Sequence, residues 1–202
     1  MARMDPEAVM RAWDEVAATY ARRRDPGGSD AALIDDLLAD LPAAPMVLDV
    51  GCGDGARTLA NLPEGAVGLD VSRAGLALAR ERVPGSRLVH GEMSRLPVRT
   101  GSVDGITAYH AVFHVPREDH PTVYREFARV LRPGGRLLMT LPGGRYETVR
   151  RGWMGGEMFF STPGRAETLR QLQETGFRVD RTVTADDPLG SGTEFAFAVR
   201  EE

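Results

Sequence analysis

The chain has 202 residues, 42% of them hydrophobic and 27% charged, a composition that fits one folded domain and excludes a disordered chain. Its net charge is −4 with a pI of about 5.6, which speaks against a nucleic-acid binder with a basic face. All 25 basic residues are arginine, so neither a Schiff-base lysine nor a P-loop lysine is available.

The opening stretch, "MARMDPEAVMRAWDE", is too charged for a signal peptide. A helix is predicted over 6–22, with Val9, Trp13, Val16 and Tyr20 on one face. Arg22–Arg24, like Arg150–Arg151 further on, read as solvated surface. "DPGGSD" (25–30) breaks the chain, and Ser29 or Asp30 caps a second helix through Leu41, with Leu33, Leu37 and Leu38 inward. "MVLDV" (46–50) has the length of a strand. Three glycines follow at alternate positions, Gly51, Gly53 and Gly55, then a short helix, "ARTLANL". "AVGLDV" (66–71) is a second strand, Ser72 caps a third helix to about Arg82, and "RLVHG" (87–91) is a third strand. "VDGITAYHAVFHV" (103–115) begins as a fourth. "HPTVYREFARVL" is a helix with Pro121 in its first turn, ended by "RPGG", and "RLLMTL" (136–141) is the fifth strand. Residues 142–162 are Gly-rich and aromatic. A last helix runs from Thr162–Pro163 to Gly176, and "FRVDRTVT" and "EFAFAVR" close the chain as strands. No apolar run approaches the 18 residues of a membrane span.

Strand and helix alternating in this way predict an α/β fold, a parallel sheet with helices on both faces. A Gly-rich turn at the C-terminal end of a strand is where such sheets bind ligands, because a backbone without Cβ atoms lets the ligand approach closely. "GCGDGA" satisfies the dinucleotide pattern through Gly51, Gly53 and Ala56. Asp70, at the end of the second strand, is placed to accept the hydroxyls of a ribose. Both NAD and S-adenosyl-L-methionine (SAM) present one, so the loop alone does not choose between them. Cys52, the sole cysteine, excludes an intrachain disulfide and fits a reducing cytoplasm. One Cys and four His without ligand spacing predict no metal site. The all-arginine basic set suits a GC-rich bacterial genome.

The downstream segments separate the two ligands. "LDVGCGDG", "GLDVS", "GEMSRLP" after strand three, "RPGGRLLMT" into strand five and the N-terminal "WDEVAATY" together resemble the class I SAM-dependent methyltransferases, in particular the small bacterial type-11-like enzymes. The likeness covers residues 10–141 well and the C-terminal strands loosely. It implies a single Rossmann-like domain with a mostly parallel seven-stranded sheet and an antiparallel last strand. Within it, 1–42 form a helical cap, 43–141 the SAM-binding core, 142–162 a substrate lid, and 163–202 a helix and strand pair. The resemblance also assigns the cofactor site. Gly51, Cys52 and Gly53 lie against the methionine part, Asp49 near its amino group, and Asp70 and Val71 at the ribose. Glu92, where the family usually has Asp, and the Met93 amide reach the adenine, Tyr20 closes over the cofactor, and Tyr109 completes the wall.

The end of strand four faces the methyl donor in such a fold. His110 and His114, four apart, are therefore the candidate general bases, with His110 the favoured one. Trp153, Met154, Met158, Phe159 and Phe160 would form an apolar lid over a substrate, with Glu157 for a polar handle. The expectation is methyl transfer from SAM to a small-molecule acceptor, with S-adenosyl-L-homocysteine leaving, and no nucleic-acid or membrane partner. The alternatives are a SAM-binding regulator or partner protein without turnover and, behind it, a nicotinamide-dependent oxidoreductase.

Overall fold

The computed structural model describes residues 5–25, 27–186 and 192–202; residues 1–4 of the charged opening stretch and Pro26 of the predicted break lie outside it. Helix α1 (Pro6–Arg23) starts at Asp5, whose carboxylate accepts the Glu7 N–H. Its predicted face holds: Val16 is buried, with Trp13 and Tyr20 half-buried beside it. Helix α2 (Ala32–Ala39) follows a 3₁₀ turn, Ser29–Ala31, and has no side-chain cap. Ser29 and Asp30 are both engaged elsewhere. The Ser29 hydroxyl donates to Asp186, and the Asp30 carboxylate is fully buried against Arg57.

The first five strands are β1 (Val47–Val50), β2 (Val67–Asp70), β3 (Arg87–His90), β4 (Val103–Ala108) and β5 (Leu131–Leu141). Helix α3 (Arg73–Arg82) links β2 to β3, and α4 (His120–Val130) leads into β5. A hairpin of β6 (Arg145–Trp153) and β7 (Gly156–Pro163) comes next. Helix α5 (Arg165–Glu174) and strands β8 (Phe177–Asp186) and β9 (Gly192–Arg200) complete the chain.

The main sheet has seven strands in the order β3-β2-β1-β4-β5-β9-β8. β1 to β5 pair in parallel, and β9 runs antiparallel to both β5 and β8. Successive residues on β5 enter opposite layers, as the strand period requires. Leu137 joins Phe127 of α4 and Leu172 of α5, whereas Leu138 joins Leu33, Ile34 and Leu37 of α2. The chain leaves β1 toward β2 on one side and later lays β4 on the other. This reversal opens a crevice at the C-terminal ends of the central strands.

Two local features bear on the site. "ARTLANL" forms only a 3₁₀ turn, Leu59–Asn61, because its first residues are pulled inward: Arg57 to Asp30, and the Thr58 hydroxyl to Asp49. Ser72 caps α3 as predicted, accepting the Gly75 N–H at 2.9 Å. Asp14 of α1 reinforces that cap, accepting the Ser72 hydroxyl at 2.7 Å and the Ala74 N–H at 3.0 Å. This docks the N-terminal helix over the crevice. The hairpin tip docks there too, since a Cβ on Gly156 would come within 2.8 Å of Val16 Cγ1.

Candidate active site

A cavity of 350 Å³ lies where β1, β2 and β4 end under α1. Its floor is the glycine loop. Gly51 and Gly53 both line it and both hold positive φ, +75° and +54°. A Cβ on Gly51 would meet Ala111 Cβ at 2.5 Å, while one on Gly53 would project into space with nothing within 4 Å. The first glycine is needed for chain packing, the second for room above the loop. Asp70 stands on the wall with its carboxylate set by two backbone donors, the Gly53 and Ser72 N–H groups, each at 2.7 Å. Burial raises its pKa against the pull of those donors. Each oxygen retains a lone pair for a ligand hydroxyl.

A second cavity, of 650 Å³, lies under the β6–β7 hairpin. It shares four residues with the first: Trp13, Tyr20, His110 and His114. These form an aromatic junction, with Trp13 edge-on to Tyr20 at 5.4 Å and to His114 at 4.9 Å. His114 is buried, and its Nδ1 lies 2.7 Å from the Phe159 carbonyl. A carbonyl only accepts, so Nδ1 carries the proton and Nε2 the lone pair. Desolvation lowers the His114 pKa to about 4, so the ring is neutral at pH 7. His110 holds a positive φ of +51°, rare for a residue with a side chain. Its N–H donates to Thr140 Oγ1 at 2.8 Å, and its Nε2 lies 4.0 Å from the buried Asp30 carboxylate.

Of the predicted cofactor residues, Tyr20, Gly51, Gly53, Asp70, Val71, Glu92, Met93 and Tyr109 line the first cavity. Asp49 and Cys52 do not. Asp49 is buried beneath the loop with both oxygens taken by threonines, Thr58 at 2.5 Å and Thr107 at 2.7 Å. Desolvation pushes its pKa up to about 6. Cys52 points into the protein, 2% exposed, and burial raises its thiol pKa. Of the six predicted lid residues, only Trp153 and Phe160 line the second cavity. Met158 is core against Val16, and Phe159 is buried beside it in β7. Met154 packs on that same cluster at the hairpin turn, with a φ of +52°. Glu157 faces solvent and pairs with Arg151 at 3.3 Å. Strand alternation takes Glu157 and Phe159 off the Phe160 face, Met158 shares that face but is packed into the core with Val16, and Met154 stands in the turn.

Arg24, Trp13 and Asp54 also stand on the wall of the first cavity, although their sequence pattern did not mark them as site residues. Asp54 is held by Arg82. Arg24 sits over the Tyr20 ring at 5.6 Å, so it does not belong to the solvated arginine surface. Its place one turn beyond Tyr20 was the available signal.

The histidines give a direct pH test. His114 and His120 both have pKa values lowered to about 4 by burial. The unfolded chain, with pKa near 6.5, then binds more protons than the folded one between pH 4 and 6.5. Their contribution to stability is therefore complete above about pH 6.5 and lost toward pH 4, at roughly 3 kcal/mol per ring. Asp49 works the other way, its raised pKa making it costly at neutral pH and relieved below about 6. Following the four imidazole C–H signals by NMR isolates the histidines. Two of the four should stay put from pH 8 to 5.5, and four rings moving with midpoints near 6.5 would contradict the burial described.

The comparisons with known proteins agree with this architecture. A family model described as a methyltransferase domain matches residues 48–139. A trans-aconitate 2-methyltransferase of Variovorax paradoxus is 37% identical over 139 residues, 65% of this chain and 53% of its own length. A Mycolicibacterium smegmatis protein named "Probable S-adenosylmethionine-dependent methyltransferase" is 31% identical over 148 residues, 72% of this chain and 57% of its own. Among solved structures, the magnesium protoporphyrin IX methyltransferase of Synechocystis, with SAM bound, superposes over the whole of both chains with a TM-score of 0.74 at 18% identity. Residues 48–139 match the methyltransferase-domain family, and these likenesses are to SAM-dependent methyltransferases of class I, whose cofactor is S-adenosyl-L-methionine. The chain spans about half the length of the curated relatives it matches.

Proposed function

We propose that the chain transfers a methyl group from SAM to a small-molecule acceptor, with S-adenosyl-L-homocysteine as the second product. The observation that carries this reading is the meeting of two cavities at Trp13, Tyr20, His110 and His114. One compartment fits a nucleoside, the other an acceptor, and a group passed between them crosses that junction. A fold neighbour at TM-score 0.72 and 17% identity carries the name [4+2]-cyclase, so the fold by itself does not specify the reaction.

The residues fit the cofactor. The open space above Gly53 admits a ligand against bare backbone. Asp70 accepts the ribose hydroxyls, Glu92 and the Met93 amide meet the adenine, and Val71 and Tyr109 form walls. Arg24 is the one arginine on the wall among the described residues, matching a ligand with a single carboxylate. When bound, the cofactor supplies an electrophilic methyl on a cationic sulfur. The Trp13 and Tyr20 rings attract such a cation. A dinucleotide fits less well. Its pyrophosphate normally rests on the N-terminus of the helix after the glycine loop, and here only a 3₁₀ turn follows.

At the junction, neutral His114 holds an acceptor hydrogen through its Nε2 lone pair. His110, beside Asp30, is the group placed to take a proton from an O–H or N–H acceptor. Proximity and alignment supply the rest. The small-molecule class is supported by the net negative charge and by two similar proteins, whose names specify trans-aconitate and magnesium protoporphyrin IX. Among the described residues, no helix is long and apolar enough to cross a membrane, and the lone thiol suits the cytoplasm.

Calorimetric titration with SAM and with NAD tests the cofactor, and release of S-adenosyl-L-homocysteine in a cell extract tests turnover. Saturable SAM binding with product release is the expected result. SAM binding without product in any extract would favour the regulator, and NAD binding alone the oxidoreductase.

A further inference from the structure

The acceptor cavity has a distinctive charge and shape. Its apolar wall consists largely of flat rings: Phe160 stacks on Phe113 at 5.9 Å with planes 23° apart, Trp153 stands edge-on to Phe160 at 5.6 Å, and Tyr146 flanks them. Flat walls favour a flat occupant. Two fully charged side chains reach this wall among the described residues, Arg150 and Glu194. Glu194 is already matched, its two oxygens bridged by Arg165 at 2.8 and 2.9 Å. Arg150 has no carboxylate partner among the described residues. Its guanidinium lies over the Phe160 ring at 4.8 Å, stacked on the surface a ring-bearing ligand would share. Of the histidines on the wall, His114 is neutral at pH 7 for the reason given above. Among the described residues the wall therefore presents one arginine without a carboxylate partner, beside an aromatic slot. A guanidinium stacked on a ring keeps its edge free to take a carboxylate through two parallel N–H donors.

We propose that the acceptor is a planar aromatic anion, its ring held by Phe160 and Trp153, its acidic group paired with Arg150, and its reacting heteroatom at the His110–His114 junction. This deepens the methyltransferase reading and rests on it for the identity of the neighbouring cavity, but the recognition is testable by binding alone. Arg150 belongs to the second cavity only, whereas the histidines belong to both, so the charge-pairing and reacting ends of the ligand are separated.

The test is calorimetry with and without S-adenosyl-L-homocysteine, using four probes. They are 4-hydroxybenzoate, its methyl ester, cyclohexanecarboxylate and benzyltrimethylammonium. The acid is expected to bind at least tenfold tighter than the ester, which lacks the charge, and than the saturated acid, which lacks the ring. Arg150→Gln should erase the acid–ester difference and Arg150→Glu reverse it toward the cation, both leaving S-adenosyl-L-homocysteine affinity unchanged. The residue is exposed, so neither change threatens the fold. Equal binding of acid and ester, preference for the cation in the unaltered protein, or an Arg150→Gln variant that keeps the preference would overturn the proposal. So would failure of every probe while S-adenosyl-L-homocysteine binds. Failure of S-adenosyl-L-homocysteine itself would instead count against the methyltransferase reading.

Discussion

Asp70→Ala is expected to weaken SAM binding by about a hundredfold or more. A carboxylate accepting two ribose hydroxyls makes two charge-assisted bonds of roughly 1.5–3 kcal/mol each, and every 1.4 kcal/mol is about tenfold. The structure adds a second loss. The same carboxylate fixes the Gly53 and Ser72 N–H groups, so its removal also loosens the floor of the cavity and the start of α3. Asp70→Asn retains one acceptor oxygen and should fall between the two. Calorimetric affinities for the three proteins check this, and an alanine variant with undiminished affinity would make Asp70 a loop anchor only.

Arg57→Ala is expected to cost about 3–5 kcal/mol of folding stability, the range for stripping one partner from a buried ion pair. Against a total of roughly 5–15 kcal/mol for a domain, that is a large share of the protein's stability. Arg57 and Asp30 are both 0% exposed. The Arg57 guanidinium also donates to the backbone carbonyls of Asp25 and Asp186, and the Tyr109 hydroxyl donates to the Asp30 carbonyl at 2.9 Å. The pair thus ties the loop before α2 to the glycine-loop region and to the end of β8. Replacing both partners with apolar residues, Asp30→Leu with Arg57→Met, removes the stranded charge and should cost less than Arg57→Ala. Urea denaturation of the two variants decides. Equal losses would mean that the backbone bonds of Arg57, rather than its charge, hold the region.

The central α/β rhythm was legible because its signals are local. The runs at 47–50, 67–70 and 103–108 are punctuated by Gly51, Ser72 and Ser102, and Ser72 declares its own cap. Asp70, Gly51 and Gly53 were legible for the same reason. The misplacements came from contacts that no local period reports. Asp30 reads as a helix cap until Arg57, 27 residues on, claims it. Asp49 reads as a cavity acid until Thr58 and Thr107 turn it inward. The hairpin was hidden because β6 is exposed along nearly its whole length and shows no alternation, while β7 is buried along most of its length and reads as an apolar run. Trp153 at the end of β6 and Phe160 of β7 line the second cavity, and the other four lid candidates are set apart from them by strand alternation, burial and the hairpin turn.

One placement is decisive, the sulfur of the cofactor at the junction of the two cavities. A crystal structure with S-adenosyl-L-homocysteine bound tests it most directly. The predicted result has the ribose hydroxyls on Asp70 and the sulfur facing Tyr20 and the His110–His114 turn, open toward the cavity under the hairpin. A nucleoside bound away from Asp70, or a sulfur walled off from that second cavity, would contradict it.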